Sequence, residues 1–353
     1  MSQTELSTQT IKKRIDYIDL MKGICIILII LLHNQINTPN DNIDNILKNM
    51  RIPLYFCLSG LFFKEYNGVC DFITRKFNKL IIPFIFFAYI PFALCEIGLN
   101  YEHSITTYIL MGIEPYNYPL WFLRCLFITY ILYFFIHKIG KRLSLTIQTI
   151  CIFLIAFFAY IIIQKLTLPH SAIVKIFENS IFNIITAFIA LPFFHIAFII
   201  RSKGFLSKNI SNKHVIVLFI IFFLIWILTF QRDIDYRTIH FGKNFIFLYT
   251  SALGGTGCVW CIAYIIKKIF YISYIGRYSL IALGTHYPLI LLFNLMGIHN
   301  KYVVFLCILI VMPGVIYVFK KYFPYMTAQK DLFIYKDGKF QLSINKPKEK
   351  NNP

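Results

Sequence analysis

The stretch LMKGICIILIILLHNQ, Leu20 to Gln35, decides how this chain is read. It is apolar except for a lysine near its start and a histidine near its end. On an α-helix Lys22 and His33 are separated by about 16 Å of rise and only about 20° of rotation, so both side chains share one face. Asp19 lies three residues before Lys22, within one-turn reach of it. The pattern is one polar stripe on an otherwise lipid-compatible rod, and a charge placed in hydrocarbon asks for a function.

The rest of the chain supports a bilayer as solvent. Its 353 residues are 58% hydrophobic and only 14% charged, against about 25% charge in a soluble domain. Such a chain has too little polar surface to cover its apolar surface in water. The net charge of +19 does not indicate nucleic acid here, because excess Lys and Arg in a polytopic membrane protein reports orientation. No nucleic-acid module is present either. Nine cysteines, most of them inside apolar runs, include a lone Cys258-Val-Trp-Cys261 with no second pair. That arrangement fits core packing rather than metal or redox chemistry. The N-terminus does not read as a cleavable signal, since its apolar run is too long and no small-residue cleavage site follows.

Apolar runs near 18–36, 46–63, 80–98, 119–136, 146–163, 181–200, 214–230, 244–266, 279–297 and 302–320 predict an all-α, polytopic membrane protein of about ten spans. The expected organisation is a cytoplasmic N-terminal segment (1–17), a membrane domain (18–320) and a cytoplasmic tail (321–353). Basic residues alternate with the runs. Lys12, Lys13 and Arg14 precede the first; Lys64, Arg75, Lys76 and Lys79 follow the second; Lys138, Lys141 and Arg142 follow the fourth. Arg201, Lys203, Lys208 and Lys213 follow the sixth, and Lys267, Lys268 and Arg277 the eighth. This alternation places both termini in the cytoplasm. Segment 231–243 breaks it, with Arg232, Arg237 and Lys243 on the expected outer side. The tail suggests a small hairpin at Lys336-Asp337-Gly338-Lys339.

Several polar residues are candidates for chemistry. His33, deep in the first run, has the chemistry of a general base or proton relay; a lone histidine on an apolar face is otherwise most often a satisfied core residue. His286 is a second intramembrane histidine, in IGRYSLIALGTHYPLILLF, about two turns after Ser279. Ser59-Gly60 allows close backbone approach. Arg75, Lys76 and Lys79 suit either a positive-inside anchor or phosphate oxygens. Glu114, Tyr116, Tyr118 and Trp121 crowd the expected outer interface, where an aromatic belt is the simplest account and contact with sugar rings the alternative. There is no GxSxG elbow, phosphate loop or HExxH.

Taken in order, RIDYIDLMKGICIILIILLH, IPLYFCLSGLFF, TRKFNKLIIPF, PLWFL and SLIALGTHYPL resemble the family 3 membrane acyltransferases, which O-acetylate bacterial surface polysaccharides and related glycans; the branch resembled is the fucose 4-O-acetylase-like one. The resemblance covers about 14–320. The family carries a basic residue, ten others and then a histidine on its first membrane helix, and here these are Lys22 and His33. Lysine stands where many members have arginine, keeping the charge but losing the planar fork. Many members also have a Glu-Glu pair after the fourth-helix motif, whereas LWFLRCLF offers Arg124.

The resemblance implies a bacterial cytoplasmic-membrane enzyme that takes an acetyl group from cytoplasmic acetyl-CoA, without a metal, to a hydroxyl of a cell-surface or lipid-linked glycan. On that reading Lys22 and Arg75 hold donor phosphates and Asp19 orients Lys22. His33 acts as base or briefly carries the acyl group, Ser59 and Trp121 shape the pocket, and His286 is a supporting candidate. The competing classes are a secondary transporter or flippase of lipid-linked glycans, which would favour paired discontinuous helices in two related halves, and a polysaccharide polymerase, which would favour a large outer loop. Neither feature is visible in the sequence.

Overall fold

The computed structural model describes residues 15–34, 42–99, 117–165, 172–336 and 338–343. Glu114 and Tyr116, the basic residues before the first run, and Asp337 lie outside the described residues. The chain is almost entirely helical, as apolar runs with internally satisfied backbone must be in lipid. Helix α1 is Asp16–His33, α2 Asn42–Gly60, α3 Val69–Lys76 and α4 Ile82–Leu99. The chain continues with α5, Trp121–Gly140, α6, Leu145–Lys165, α7, Ala172–Ser202, and α8, Asn212–Thr229. It closes with α9, Phe245–Ile266, α10, Phe270–Arg277, α11, Ser279–Leu295, and α12, Lys301–Tyr322. A two-stranded antiparallel hairpin, β1 (Phe333–Lys336) and β2 (Lys339–Leu342), pairs Phe333 with Leu342 and Lys336 with Lys339 where the tail hairpin was expected.

Six helices among the described residues are long and apolar enough to cross a membrane, and a seventh if α10 and α11 form one bent span. The expected ten is a larger number. Helix α1 carries Asp16, Asp19 and Lys22, and α2 carries Asp44, Lys48 and Arg51. These charges keep both from reading as plain apolar spans, although both are buried along much of their length. The ninth run, 279–297, corresponds to α11, and α10, which precedes that run, meets it at 92° around Tyr278.

Close packing at that bend explains two glycines. A Cβ on Gly276 would run into the Asp19 carbonyl, and one on Gly23 into the Ile272 backbone, so α1 and α10 approach as only glycine permits. Near α3 the chain runs through a π-helical turn, Phe77–Ile81, into α4. Such a turn shifts the side-chain register that follows and is frequent at functional sites.

The helices run between two ends. At one end lie Lys22 and the loops carrying most of the basic residues. There Tyr17 Oη donates to the Leu206 carbonyl (3.3 Å), Glu65 pairs with His137 and Lys141, and buried Asn78 ties the tail down. Asn78 Nδ2 donates to the Phe333 carbonyl (2.7 Å), while its Oδ1 accepts from the Leu332 and Phe333 amides (2.9 Å each). At the other end lie His33 and the 231–243 segment, whose Ile234, Tyr236 and Phe241 are buried. Gln231 and Asn49 bond to each other there, and Thr186 Oγ1 donates to the Tyr236 carbonyl (2.9 Å).

Candidate active site

The two intramembrane histidines of the sequence come together. His33, in the last turn of α1, and His286, in the middle of α11, have ring centroids 5.3 Å apart. His286 is completely buried. Its Nδ1 lies 3.0 Å from the Ala282 carbonyl, a bond that requires the proton on Nδ1 in the neutral ring. The Nε2 lone pair is therefore left available, and that atom is buried with no hydrogen-bond partner among the described residues. Buried polar atoms are nearly always paired, so an orphaned imidazole nitrogen beside a second imidazole calls for a role.

Two cavities of about 390 Å³ each run along the same helices; His33 lines one of them and His286 lines neither, and both volumes are within the usual range for small-ligand sites. The first opens at the Lys22 end and is cationic: Lys22, Lys79 and Arg277 line it, with Ser59, Tyr55 and Ser279. Lys22 Nζ sits 4.8 Å from the centroid of the Phe62 ring, and Tyr130 Oη donates to the Ser59 carbonyl (3.0 Å). Lys79 comes from the π-helical turn and Arg277 from the corner between α10 and α11. The tail supplies part of the wall through Thr327, Ala328 and Gln329.

The second cavity lies at the His33 end. His33, Trp121, Tyr118 and Tyr287 line it, together with Lys48, Arg51, Asp235 and Arg237. Arg51 is 1% exposed and ion-pairs with Asp44, which also holds Lys48 at 2.9 Å. Asp235 Oδ1 accepts from the Arg237 amide (2.8 Å), and the Arg237 guanidinium lies 4.5 Å from the centroid of the Tyr118 ring.

The same four helices build both cavities. On α2, Ile52 faces the His33-side cavity and Tyr55 the Lys22-side one; on α11, Tyr287 and Leu283 divide the same way; on α5, Trp121 and Phe122 do. Three or four residues of helix rise about 5–6 Å, so the pockets approach closely on these three helices, whereas on α1 the nearest lining residues, Lys22 and Ile29, are about 10 Å apart along the axis. His33 lines one of these neighbouring pockets with His286 beside it, an arrangement that suits transfer of a small group from one pocket to the other.

The sequence candidates distribute unevenly over this geometry. Lys22 and Ser59 line one cavity, His33 and Trp121 the other, and His286 stands beside His33. Asp19 is buried on α1 close to the α10 crossing. Arg75 does not line either cavity. Its Nε pairs with Asp71 Oδ1 (2.8 Å), and its guanidinium rests 4.9 Å from the Tyr66 ring centroid. Lys79, read from the sequence as either an anchor or a phosphate ligand, and Arg277, read as an orientation signal, are the cations that line the pocket beside Lys22. Arg237, one of the three basic residues in 231–243 that break the basic-loop alternation, lines the other pocket; that break was its one visible signal. Tyr287, adjacent to His286 in sequence, contributes a wall that no pattern announced.

No curated protein and no solved structure matches this chain. The model of an acyltransferase domain, by contrast, matches residues 15–320, a stretch that carries both histidines and all the helices lining the two cavities. The chain therefore belongs to acyltransferase family 3 and is a membrane acyltransferase.

Proposed function

We propose that the protein is an O-acetyltransferase of a bacterial cytoplasmic membrane, taking an acetyl group from cytoplasmic acetyl-CoA to a hydroxyl of a cell-surface or lipid-linked glycan. The observation that carries this reading is that His33, with His286 beside it, lines an aromatic pocket that shares four helices with a cationic one. Lys22, Lys79 and Arg277 suit the donor's phosphates, and the pantetheine arm runs inward past Ser59 and Tyr55. Trp121, Tyr118 and Tyr287 offer flat faces to a sugar ring. The basic Lys22 end is the cytoplasmic one on the charge rule.

His33 removes the proton from the acceptor hydroxyl as its oxygen attacks the thioester carbonyl. The C–S bond breaks, and the departing thiolate takes the proton from the imidazolium. The role assigned to His286, whose ring lies beside His33 with Nε2 unengaged, is to support the imidazolium of His33. In a two-step version the His33 imidazole attacks the thioester, the C–S bond breaks and CoA leaves as the thiol with the ring's proton. The acceptor hydroxyl then takes the acetyl group from the ring and returns a proton to it.

The test is transfer of radiolabel from [14C]acetyl-CoA to base-labile ester in membranes containing the full chain, compared with His33→Ala at matched expression. Loss of the ester by about 10²–10⁴-fold is expected, the size of a removed general base. Near-normal turnover would remove His33 from the chemistry.

A further inference from the structure

The charges of the His33-side cavity specify more than an aromatic sugar site needs. Lys48, Arg51 and Arg237 line it against Asp235 alone. Asp44 sits behind Lys48 and Arg51 and pairs with both, so one carboxylate serves two cations. Arg51 is 1% exposed, and its Nε has no partner among the described residues. Asp235 is engaged by its own turn, where Oδ1 accepts from the amides of Arg237 (2.8 Å) and Thr238 (3.4 Å). The Arg237 side chain forms no ion pair among the described residues; its guanidinium lies over the Tyr118 ring, 4.5 Å from the centroid. The pocket thus keeps a surplus of positive charge next to His33, on a folded cap that also buries Ile234, Tyr236 and Phe241.

We infer that this cavity takes an anionic acceptor. The substrate carries a carboxylate or phosphate near the hydroxyl that is acylated, and Arg237 binds that oxyanion while Tyr118, Trp121 and Tyr287 pack its sugar ring. The inference rests on the acyl-transfer reading above and adds the acceptor's charge to it. It also supplies a physical reason for Arg237, one of the three basic residues in 231–243 that defy the basic-loop alternation. A guanidinium held over an aromatic ring without a carboxylate partner still has N–H groups to offer an oxyanion.

The test uses membranes of the producing cell, with the wild-type chain or His33→Ala, labelled with [14C]acetyl-CoA. The His33-dependent, base-labile product is run on an anion exchanger before and after mild acid, which removes a lipid pyrophosphate carrier. Retention before acid is expected. Retention that survives acid assigns the charge to the glycan, and retention lost with acid assigns it to the carrier phosphate. A product that is neutral from the start overturns the inference while leaving acyl transfer intact. Absence of any His33-dependent label overturns acyl transfer itself, and the inference with it. In parallel, Arg237→Gln should raise the acceptor concentration needed for half-maximal rate by roughly ten- to a hundredfold, the size of one lost charge-assisted contact. Arg237→Lys should fall between, and added salt should weaken wild type more than Arg237→Gln. An unchanged acceptor dependence in Arg237→Gln would remove Arg237 from recognition.

Discussion

His33 and His286 lie on helices far apart in the chain, yet their rings stand 5.3 Å apart, with His286 Nδ1 tied to the Ala282 carbonyl and its Nε2 unpartnered among the described residues. If His286 supports the imidazolium of His33, then His286→Phe, which keeps a packed ring but removes Nε2, should lower turnover about ten- to a hundredfold with donor binding retained. The double variant with His33→Ala should be no worse than His33→Ala alone, because the two act as one unit. Additive losses would show that His286 acts independently.

The two cavities should separate in kinetics. Lys22→Ala, Lys79→Ala and Arg277→Ala should each raise the acetyl-CoA concentration needed, by an amount equivalent to about 1.5–3 kcal/mol per phosphate contact. Lys22→Arg should be milder, because the charge stays. Trp121→Ala should instead weaken acceptor use while donor affinity, measured by isothermal titration in detergent, stays close to wild type. Loss of donor affinity in Trp121→Ala would move that side chain to the donor channel.

Lys76 gives a pH prediction outside the spanning helices. Its amine lies 3.6 Å from the Tyr130 ring centroid, and the side chain is 5% exposed with no carboxylate partner among the described residues. Burial, then the neighbouring charges of Lys79 and Lys64, push its pKa down to about 7. An unfolded lysine titrates near 10.4. Between those values the unfolded chain holds a proton that the folded chain has released, so stability rises with pH across the window. The unfavourable charge is fully present below about pH 7. Lys76→Met should therefore raise the melting temperature at neutral pH and flatten its climb toward about pH 9. Parallel melting curves for the two proteins would contradict a buried, depressed amine.

Gly276 and Gly314 make a matched pair for packing. A Cβ at Gly276 meets the Asp19 carbonyl and the Gly23 backbone, whereas at Gly314, inside α12, it meets nothing within 4 Å. Gly276→Ala should destabilise by about 1–3 kcal/mol, as overpacking does. Because the crossing holds α1 in place, that substitution should also weaken acetyl-CoA binding at Lys22. Gly314→Ala should be neutral or stabilising by up to about 1 kcal/mol, since a helical glycine is replaced without a clash. Equal effects in detergent melting experiments would mean that the α1–α10 contact does not limit stability.

The sequence by itself determined the solvent, the helical class and the polar stripe. These follow from local quantities: the length of apolar runs, the period of the helix and the scarcity of charge. Lys22 and His33 were legible because eleven residues of helix fix their shared face regardless of what packs around them. The tail hairpin was legible from its turn residues. The tertiary structure decided which polar groups meet. Nothing local tells that the His33 ring will find His286, that Arg75 will turn to Asp71 while Lys79 and Arg277 face the pocket, or that Arg237 will close the other cavity. Those placements depend on how α1, α2, α5 and α11 pack and on the bend at Tyr278. Lys and Arg side chains look alike in a loop, and only packing around them separates the charge that orients a span from the charge that lines a site.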